Sequence, residues 1–158
     1  MIAIWLRSPA FHGGSQRPMD RRRSRNAPAR PLVLIVEGHE DTRSMYALAL
    51  SAMGFDVVAA QDGTEAFRRA WEIHPDVIVA DLPMPNCDGW RFLHDLKENP
   101  RTRDVPVVAL SGYVQQSARE SADQNGFAAF FAKPCLPDEL AAGLREVLGG
   151  GAHAHVDR

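Results

Sequence analysis

Residues 75–89 read PDVIVADLPMPNCDG, and this segment sets the class of the fold. The run from Val77 to Ala80 is apolar at every position, which predicts a strand that is buried on both faces, as in a parallel sheet. Asp81 follows at the carboxyl end of that strand, where ligands and chemistry collect in open α/β sheets. Pro83 and Pro85 then restrict the backbone of the next loop. Taken alone, Asp81 is equally well explained as a residue that caps a turn, so the rest of the chain must decide.

On both sides of this segment, apolar runs alternate with segments of helical spacing. The predicted strands cover residues 32–36, 55–60, 77–80, 106–110 and 127–131, and the predicted helices cover 41–53, 64–73, 89–98, 114–124 and 137–148. This alternation predicts parallel strands joined by right-handed crossovers, with helices on both faces of the sheet. We therefore expect an α/β fold: a five-stranded parallel sheet in a doubly wound, three-layer (βα)5 sandwich. A flavodoxin-like strand order is the simplest arrangement.

The first predicted helix carries apolar residues at helical spacing, which predicts a helix with one apolar side. These residues are Met45, Leu48, Ala49, Ala52 and Met53. Gly54 follows them and is expected to end the helix.

Length and composition are those of one globular domain with a basic arm. The chain has 158 residues and a formal net charge of −2, but its 18 basic and 20 acidic residues are unevenly placed. Residues 1–31 contain seven Arg and one Asp, a net charge of +6, which leaves −8 for the remainder. The arm has no sustained periodicity, which predicts disorder. We expect it to be solvated, with at most a weak contact to nucleic acid or an acidic partner.

The chain is therefore divided into a disordered basic arm at 1–31, a folded domain at 32–148 and a flexible tail at 149–158. Its two cysteines, Cys87 and Cys135, are too few for a disulfide scaffold and lack nearby metal-ligand partners. This favours a reducing compartment, and we expect a cytoplasmic location. No apolar run approaches the roughly 20 residues of a membrane span, so we expect no membrane insertion.

Four polar side chains follow four of the predicted strands. Glu37 follows the first strand, Asp81 the third, Ser111 the fourth and Lys133 the fifth. Because the carboxyl ends of parallel strands meet at one edge of a sheet, we expect these side chains to lie close together. A carboxylate can accept a phosphoryl group, while a divalent cation, a hydroxyl and an ammonium group hold its oxygens. The joint placement predicts a phosphoryl-transfer site, although each residue alone has a simpler explanation.

Four motifs at these strand ends resemble those of a known family. They are VEGHED at 36–41, DLPMPNCDG at 81–89, LSG at 110–112 and Lys133-Pro134. In order and spacing, over about residues 31–148, they resemble a response-regulator receiver domain of two-component signalling. The resemblance implies a signalling module that is not an enzyme, in which Asp81 accepts phosphate from a histidine kinase or phosphotransfer protein.

The resemblance also implies roles for residues around the acceptor. Ser111 is expected to bind the phosphate and move inward, and Lys133 to pair with one of its oxygens. Phe130 occupies the family's switching aromatic position, where Tyr is common, so a hydroxyl contact in the output state is absent.

The family passes its signal through its fourth helix, fifth strand and fifth helix, which here are the segments predicted at 114–124, 127–131 and 137–148. We expect a downstream protein target to bind that face. The chain ends about ten residues after the last predicted helix. The expectation is therefore a single-domain receiver.

One position departs from the family pattern. The family has two adjacent acids after the first strand, and here these positions are Glu37 and Gly38. The second acid normally contacts Mg²⁺ directly, and Gly has no side chain to offer. The expected metal ligands are Asp81, the backbone carbonyl of Pro83, and Glu37, either directly or through a water. Because Mg²⁺ tolerates water ligands but prefers near-ideal octahedral geometry, we expect a weakened Mg²⁺ site.

Three hypotheses follow from these residues. The first is a phosphorylatable receiver with reduced Mg²⁺ affinity. The second is a receiver-like protein-interaction module that is not phosphorylated, because the metal site is degraded at Gly38. The third is an unrelated flavodoxin-like enzyme or nucleotide binder, but no Gly-rich phosphate loop follows the first strand, and the acidic loop there repels a nucleotide phosphate.

Overall fold

The computed structural model describes residues 29–82, 89–112, 126–150 and 154–155. The strands are β1 (Leu32–Val36), β2 (Asp56–Ala60), β3 (Val77–Leu82), β4 (Val107–Ser111), β5 (Ala129–Ala132) and β6 (Ala154–His155). The helices are α1 (Glu40–Ala52), α2 (Gly63–Ile73), α3 (Gly89–Glu98) and α4 (Pro137–Leu148). The helix predicted at 114–124 lies outside the described residues, so α4 is the helix predicted at 137–148.

The strands form one parallel sheet in the order β2-β1-β3-β4-β5-β6. The first five follow the flavodoxin-like order of doubly wound sheets. This confirms the predicted α/β fold. β6 is a two-residue strand that adds to the edge beside β5, in the segment from 149 onward where the sequence predicted no strand.

The core has two layers because successive strand residues point to opposite faces of the sheet. Along β1, for example, Val33 and Ile35 belong to one apolar cluster and Leu34 belongs to the other. The first cluster also contains residues of α1 and α4, namely Tyr46, Leu50, Leu140 and Leu144. The second contains residues of α2 and α3, namely Ala66, Ala70, Phe92 and Leu96. The sheet is thus covered on both faces, as the continuous apolar strands predicted.

The apolar side predicted for α1 is only partly the buried one: Met53 packs against the core, but Met45 and Leu48 do not. Met45 is 42% exposed and Leu48 is 74% exposed, whereas Tyr46 and Leu50 are buried. The Tyr46 hydroxyl donates to the backbone carbonyl of Cys135 at 2.8 Å, which ties this side of the helix to the segment between β5 and α4. Because α1 carries apolar residues on several sides, spacing alone did not identify the one that packs.

The ends of α2 show how local sequence sets helix bounds. The side chain of Asp62 accepts a hydrogen bond from the Glu65 amide at 2.8 Å, which caps the first turn. The helix stops at His74, whose φ of 48° is left-handed, one residue before Pro75. In the described part of the chain, none of the helices combines the length and the apolar character needed to cross a membrane.

Two strands, β3 and β5, differ from their predicted bounds by two residues at one end. β3 extends to Leu82, so Asp81 lies within the strand and pairs with Leu110 of β4. β5 begins at Ala129, two residues later than predicted, although Phe127 is buried in the same core. The carboxyl end of β3 therefore stays paired with β4 in the sheet. This pairing fixes the backbone of Asp81 and so the direction in which its side chain leaves the strand.

Candidate functional site

The first two strand ends of the site are aligned by the sheet register. Val36, the last residue of β1, pairs with Ala80 of β3, so Glu37 and Asp81 are the next residues on the two strands. The Glu37 amide donates to the carbonyl of Ala60 at 3.0 Å, which extends the ladder toward β2. The backbone therefore places both acids side by side at the carboxyl edge.

The other two strand ends join the same edge from the far side of β3. Ser111 ends β4, pairing with Leu82 of β3 and with Ala132 of β5. Lys133 follows Ala132, and its amide donates to the Ser111 carbonyl at 2.7 Å. The register thus brings together all four residues that the sequence predicted at this edge.

Lys133 bridges the two acids. Its Nζ lies 2.9 Å from Glu37 Oε2 and 3.0 Å from Asp81 Oδ1. The side chains of Glu37, Asp81 and Lys133 are 2%, 12% and 26% exposed, so the acids are removed from water while the ammonium group remains partly open. Two carboxylates share one cation, which leaves the cluster with a net negative charge.

Burial and mutual contact shift all three protonation equilibria. Burial raises the pKa of Asp81, and the Glu37 charge raises it further, so the pKa stays above its usual value despite the Lys133 bond. Burial acts the same way on Glu37, but hydrogen bonds from the His39 amide and Lys133 outweigh it and lower that pKa. Burial opposes the charge of Lys133, but the two acids raise its pKa overall. Asp81 is therefore the member of the cluster whose charge is least favoured.

The second oxygen of Glu37 is held by its own loop. Glu37 Oε1 accepts a hydrogen bond from the His39 amide at 2.9 Å and lies 3.2 Å from His39 Nδ1. Its other oxygen is bound to Lys133. The Glu37 carboxylate is therefore fixed in orientation from both sides.

The two predicted switch residues lie on neighbouring strands. Ser111 is buried at the end of β4. Phe130 pairs with Ala109 in the sheet and packs in the cluster beneath α2 and α3. Next to Ser111, a Cβ built on Gly112 meets no heavy atom of the described residues within 4 Å.

The predicted metal site is described only in part, because Pro83 lies outside the described residues. Within the described ranges, no group of three or more His, Cys, Asp or Glu side chains is placed to hold a metal ion. Two carboxylates, Glu37 and Asp81, do meet at one point, and Mg²⁺ is commonly held by one or two carboxylates together with waters. These donors fit a Mg²⁺ ion with few protein ligands, in competition with the Lys133 ammonium group.

Sequence reasoning missed two features of this site. It treated Glu37 as a metal ligand and did not anticipate its ion pair with Lys133, 96 residues further along the chain. It also overlooked Arg43, which donates to the Glu37 carbonyl at 2.8 Å. The sequence indicated the Glu37–Lys133 pair only through the position of both residues at strand ends. It contained no signal for the role of Arg43.

The sequence is similar to those of known proteins. The response regulator receiver domain family matches residues 33–145. The chain is 33% identical over 116 residues to the phosphate regulon transcriptional regulatory protein PhoB of Escherichia coli (strain K12), covering 73% of this chain and 51% of PhoB. It is 28% identical over 117 residues to the polar-differentiation response regulator DivK of Brucella ovis, covering 74% of this chain and 95% of DivK. The chain thus spans about half the length of PhoB and nearly all of DivK.

Solved structures of response regulators are also similar to this chain. The chain is similar to the chemotaxis response regulator CheY4 of Vibrio cholerae, with a TM-score of 0.71 and 26% sequence identity. The superposition covers 75% of this chain and 99% of CheY4.

Proposed function

Because this chain belongs to the response regulator receiver domain family, we propose that it accepts a phosphoryl group on Asp81 from a histidine kinase or phosphotransfer protein. Receiver domains are signalling modules, so the chemistry serves to change a binding surface. The observation that carries the proposal is the contact of Lys133 with both Glu37 and Asp81 at the carboxyl edge of the sheet.

In the proposed reaction, a carboxylate oxygen of Asp81 forms a bond to the phosphorus atom. The bond from phosphorus to the donor nitrogen of a phosphohistidine breaks, and its electron pair stays on that nitrogen, which takes up a proton. The product is an acyl phosphate on Asp81. Lys133 is placed to neutralise a phosphoryl oxygen, since its ammonium group already lies 3.0 Å from Asp81 Oδ1. Ser111, at the adjacent strand end, supplies a hydroxyl donor for another oxygen.

We further propose that Glu37, Asp81 and the Pro83 carbonyl hold Mg²⁺ at this site. When bound, Mg²⁺ supplies positive charge to the transferring oxygens. Gly38 offers no ligand and Lys133 competes for both carboxylates, so the proposed affinity is lower than in a receiver with two adjacent acids after β1.

For output, we propose a protein target that binds the face made by β5, α4 and the segment at 114–124, with Ser111 and Phe130 as the switch residues. Phe130 supports this role because it belongs to β5 and is buried beside β4, the strand that ends at Ser111. We propose a cytoplasmic location, in which the arm at 1–31 makes at most an electrostatic contact.

The test is covalent labelling across a Mg²⁺ titration. The whole chain is incubated with acetyl phosphate, and intact mass is measured for the addition of about 80 Da expected of one phosphoryl group. Labelling that rises with Mg²⁺ and disappears in Asp81→Asn supports the proposal. Absence of labelling at saturating Mg²⁺ contradicts it.

A second candidate function is a protein-interaction module of the same family that is not phosphorylated. Gly38 favours it, because the acid expected beside Glu37 is missing. Gly38→Asp separates the two candidates. If the wild type is not labelled and Gly38→Asp gains both Mg²⁺ affinity and labelling, the second candidate is supported. If the wild type is already labelled, the first candidate is supported.

A further inference from the structure

One residue of α1 binds three consecutive carbonyls of the loop that follows β1. Arg43 Nη1 donates to the Glu37 carbonyl at 2.8 Å and lies 3.4 Å from the Gly38 carbonyl. The backbone amide of Arg43 donates to the His39 carbonyl at 2.9 Å. Every carbonyl from 37 to 39 therefore has a partner on the same residue, and the guanidinium group ties the loop to the first turn of the helix.

This contact matters because it holds the backbone at the centre of the loop through its carbonyl groups. Gly38 carries no side chain, so the orientation of the backbone between Glu37 and His39 depends on what its carbonyls bind. That backbone carries the His39 amide, which donates to Glu37 Oε1 at 2.9 Å. A shift of the loop would break this bond and release one of the two oxygens of the Glu37 carboxylate from its loop partner.

Arg43 acts on the backbone and not on the carboxylate itself. Its guanidinium group donates to carbonyl oxygens, while the oxygens of the Glu37 carboxylate contact His39 and Lys133. An effect of Arg43 on the site must therefore come from its N–H donors and from the length of its side chain. A cationic side chain of similar length should replace it in part.

We propose that Arg43 is a positioning residue that holds the loop at 37–39, so that Glu37 stays turned toward Lys133 and Asp81. The effect of Arg43 on phosphorylation rests on the proposed phosphoryl-transfer function. Its effect on the position of the loop can be measured without phosphorylation. Partners that orient the groups around a metal commonly contribute about 10- to 100-fold to metal affinity or activity, and we expect the low end of that range for a contact made through the backbone.

The first measurement is amide hydrogen exchange at His39 in the whole chain. Arg43→Met keeps the stem and removes the donors, and it should speed exchange at His39 about 10-fold while amides of β1 and β3 keep their protection. Arg43→Lys should restore most of the protection. Arg68→Met is the matched control, because Arg68 makes an exposed i,i+4 pair with Glu72 on α2. Unchanged exchange at His39 in Arg43→Met overturns the inference.

The second measurement is the Mg²⁺ dependence of labelling by acetyl phosphate. Arg43→Met should raise the Mg²⁺ concentration for half-maximal labelling about 10-fold and alter the maximal rate much less. Arg43→Lys should recover most of the affinity. An unchanged midpoint with a labelled wild type overturns the inference and leaves the proposed function standing. If the wild type is not labelled, the proposed function fails, and the exchange at His39 alone decides the inference.

Discussion

Each edge of the sheet carries a cationic side chain, but the two cations lie in different surroundings. At the carboxyl edge, Lys133 contacts Glu37 and Asp81 at 2.9 and 3.0 Å, and both acids are buried. At the amino edge, before β3 and β4 begin, Arg101 lies over the ring of Trp71, 4.0 Å from its centroid. Trp71 is 43% exposed, so this contact is made in water.

The two edges differ in how well water can solvate each charged group once its partner is removed. An exposed cation is rehydrated when it loses a contact, so such contacts contribute little to stability. A buried carboxylate has no water to return to, and removing its partner leaves an uncompensated charge in the protein interior. The carboxyl edge is therefore the place where a single substitution changes both stability and chemistry.

The largest expected effect is at Lys133. Lys133→Met leaves the buried acids Glu37 and Asp81 without their shared cation, and should lower the free energy of unfolding at pH 7 by about 3 to 5 kcal/mol. Urea-induced unfolding measures it. Arg68→Met breaks an exposed pair with Glu72 and should cost at most about 0.5 kcal/mol. Equal losses in the two variants would remove the distinction between buried and exposed ion pairs.

A smaller effect, of opposite sign, is expected at Asp81. Because folding raises the pKa of Asp81, stability is lost as the pH rises through the folded-state pKa and the acid ionises. Asp81→Asn removes that charge and should raise the free energy of unfolding at pH 7 by about 1 to 2 kcal/mol. Below the ordinary value of 3.8, both folded and unfolded chains hold the proton, and the gain should vanish. Urea unfolding measured from about pH 3 to about pH 8, which spans the ordinary titration range of carboxyl groups, checks this, and a loss at pH 7 contradicts it.

The smallest effect is expected at the amino edge. Arg101→Met removes the contact with Trp71 and should cost about 0.5 kcal/mol. A double-mutant cycle with Trp71→Leu isolates the pair, and its coupling energy should stay below about 1 kcal/mol. A coupling energy as large as the loss in stability of Lys133→Met would show that exposure does not determine how much these contacts contribute to the free energy of unfolding.

The elements that the sequence predicted well are those defined by local chemistry. Strands such as β1 and β4 are apolar at nearly every position, and burial on both faces leaves them few alternatives. Prediction of the site followed from the same pattern, because a parallel sheet brings its strand ends to one edge. The roles of Ser111, Phe130 and the metal ligands stay predictions.

The features that sequence reasoning missed depend on partners far away in the chain. The side of α1 that packs is chosen by Tyr46 and Leu50, and the Tyr46 hydroxyl bonds to Cys135, 89 residues away. Several sides of that helix are apolar enough to pack, so its own spacing could not select one. The two-residue strand β6 is likewise defined by β5 and not by its own composition.

The sequence by itself determined the alternation of strands and helices, the parallel sheet and the set of polar residues at its carboxyl edge, because these depend on hydrophobic periodicity and strand direction. Only the tertiary structure decided which partner each polar atom takes. It turned Glu37 toward Lys133, and it placed Arg43 on the carbonyls of the loop that holds Glu37. Such choices depend on distances of about 3 Å between residues remote in the chain, and on burial that leaves their charges no water to bind.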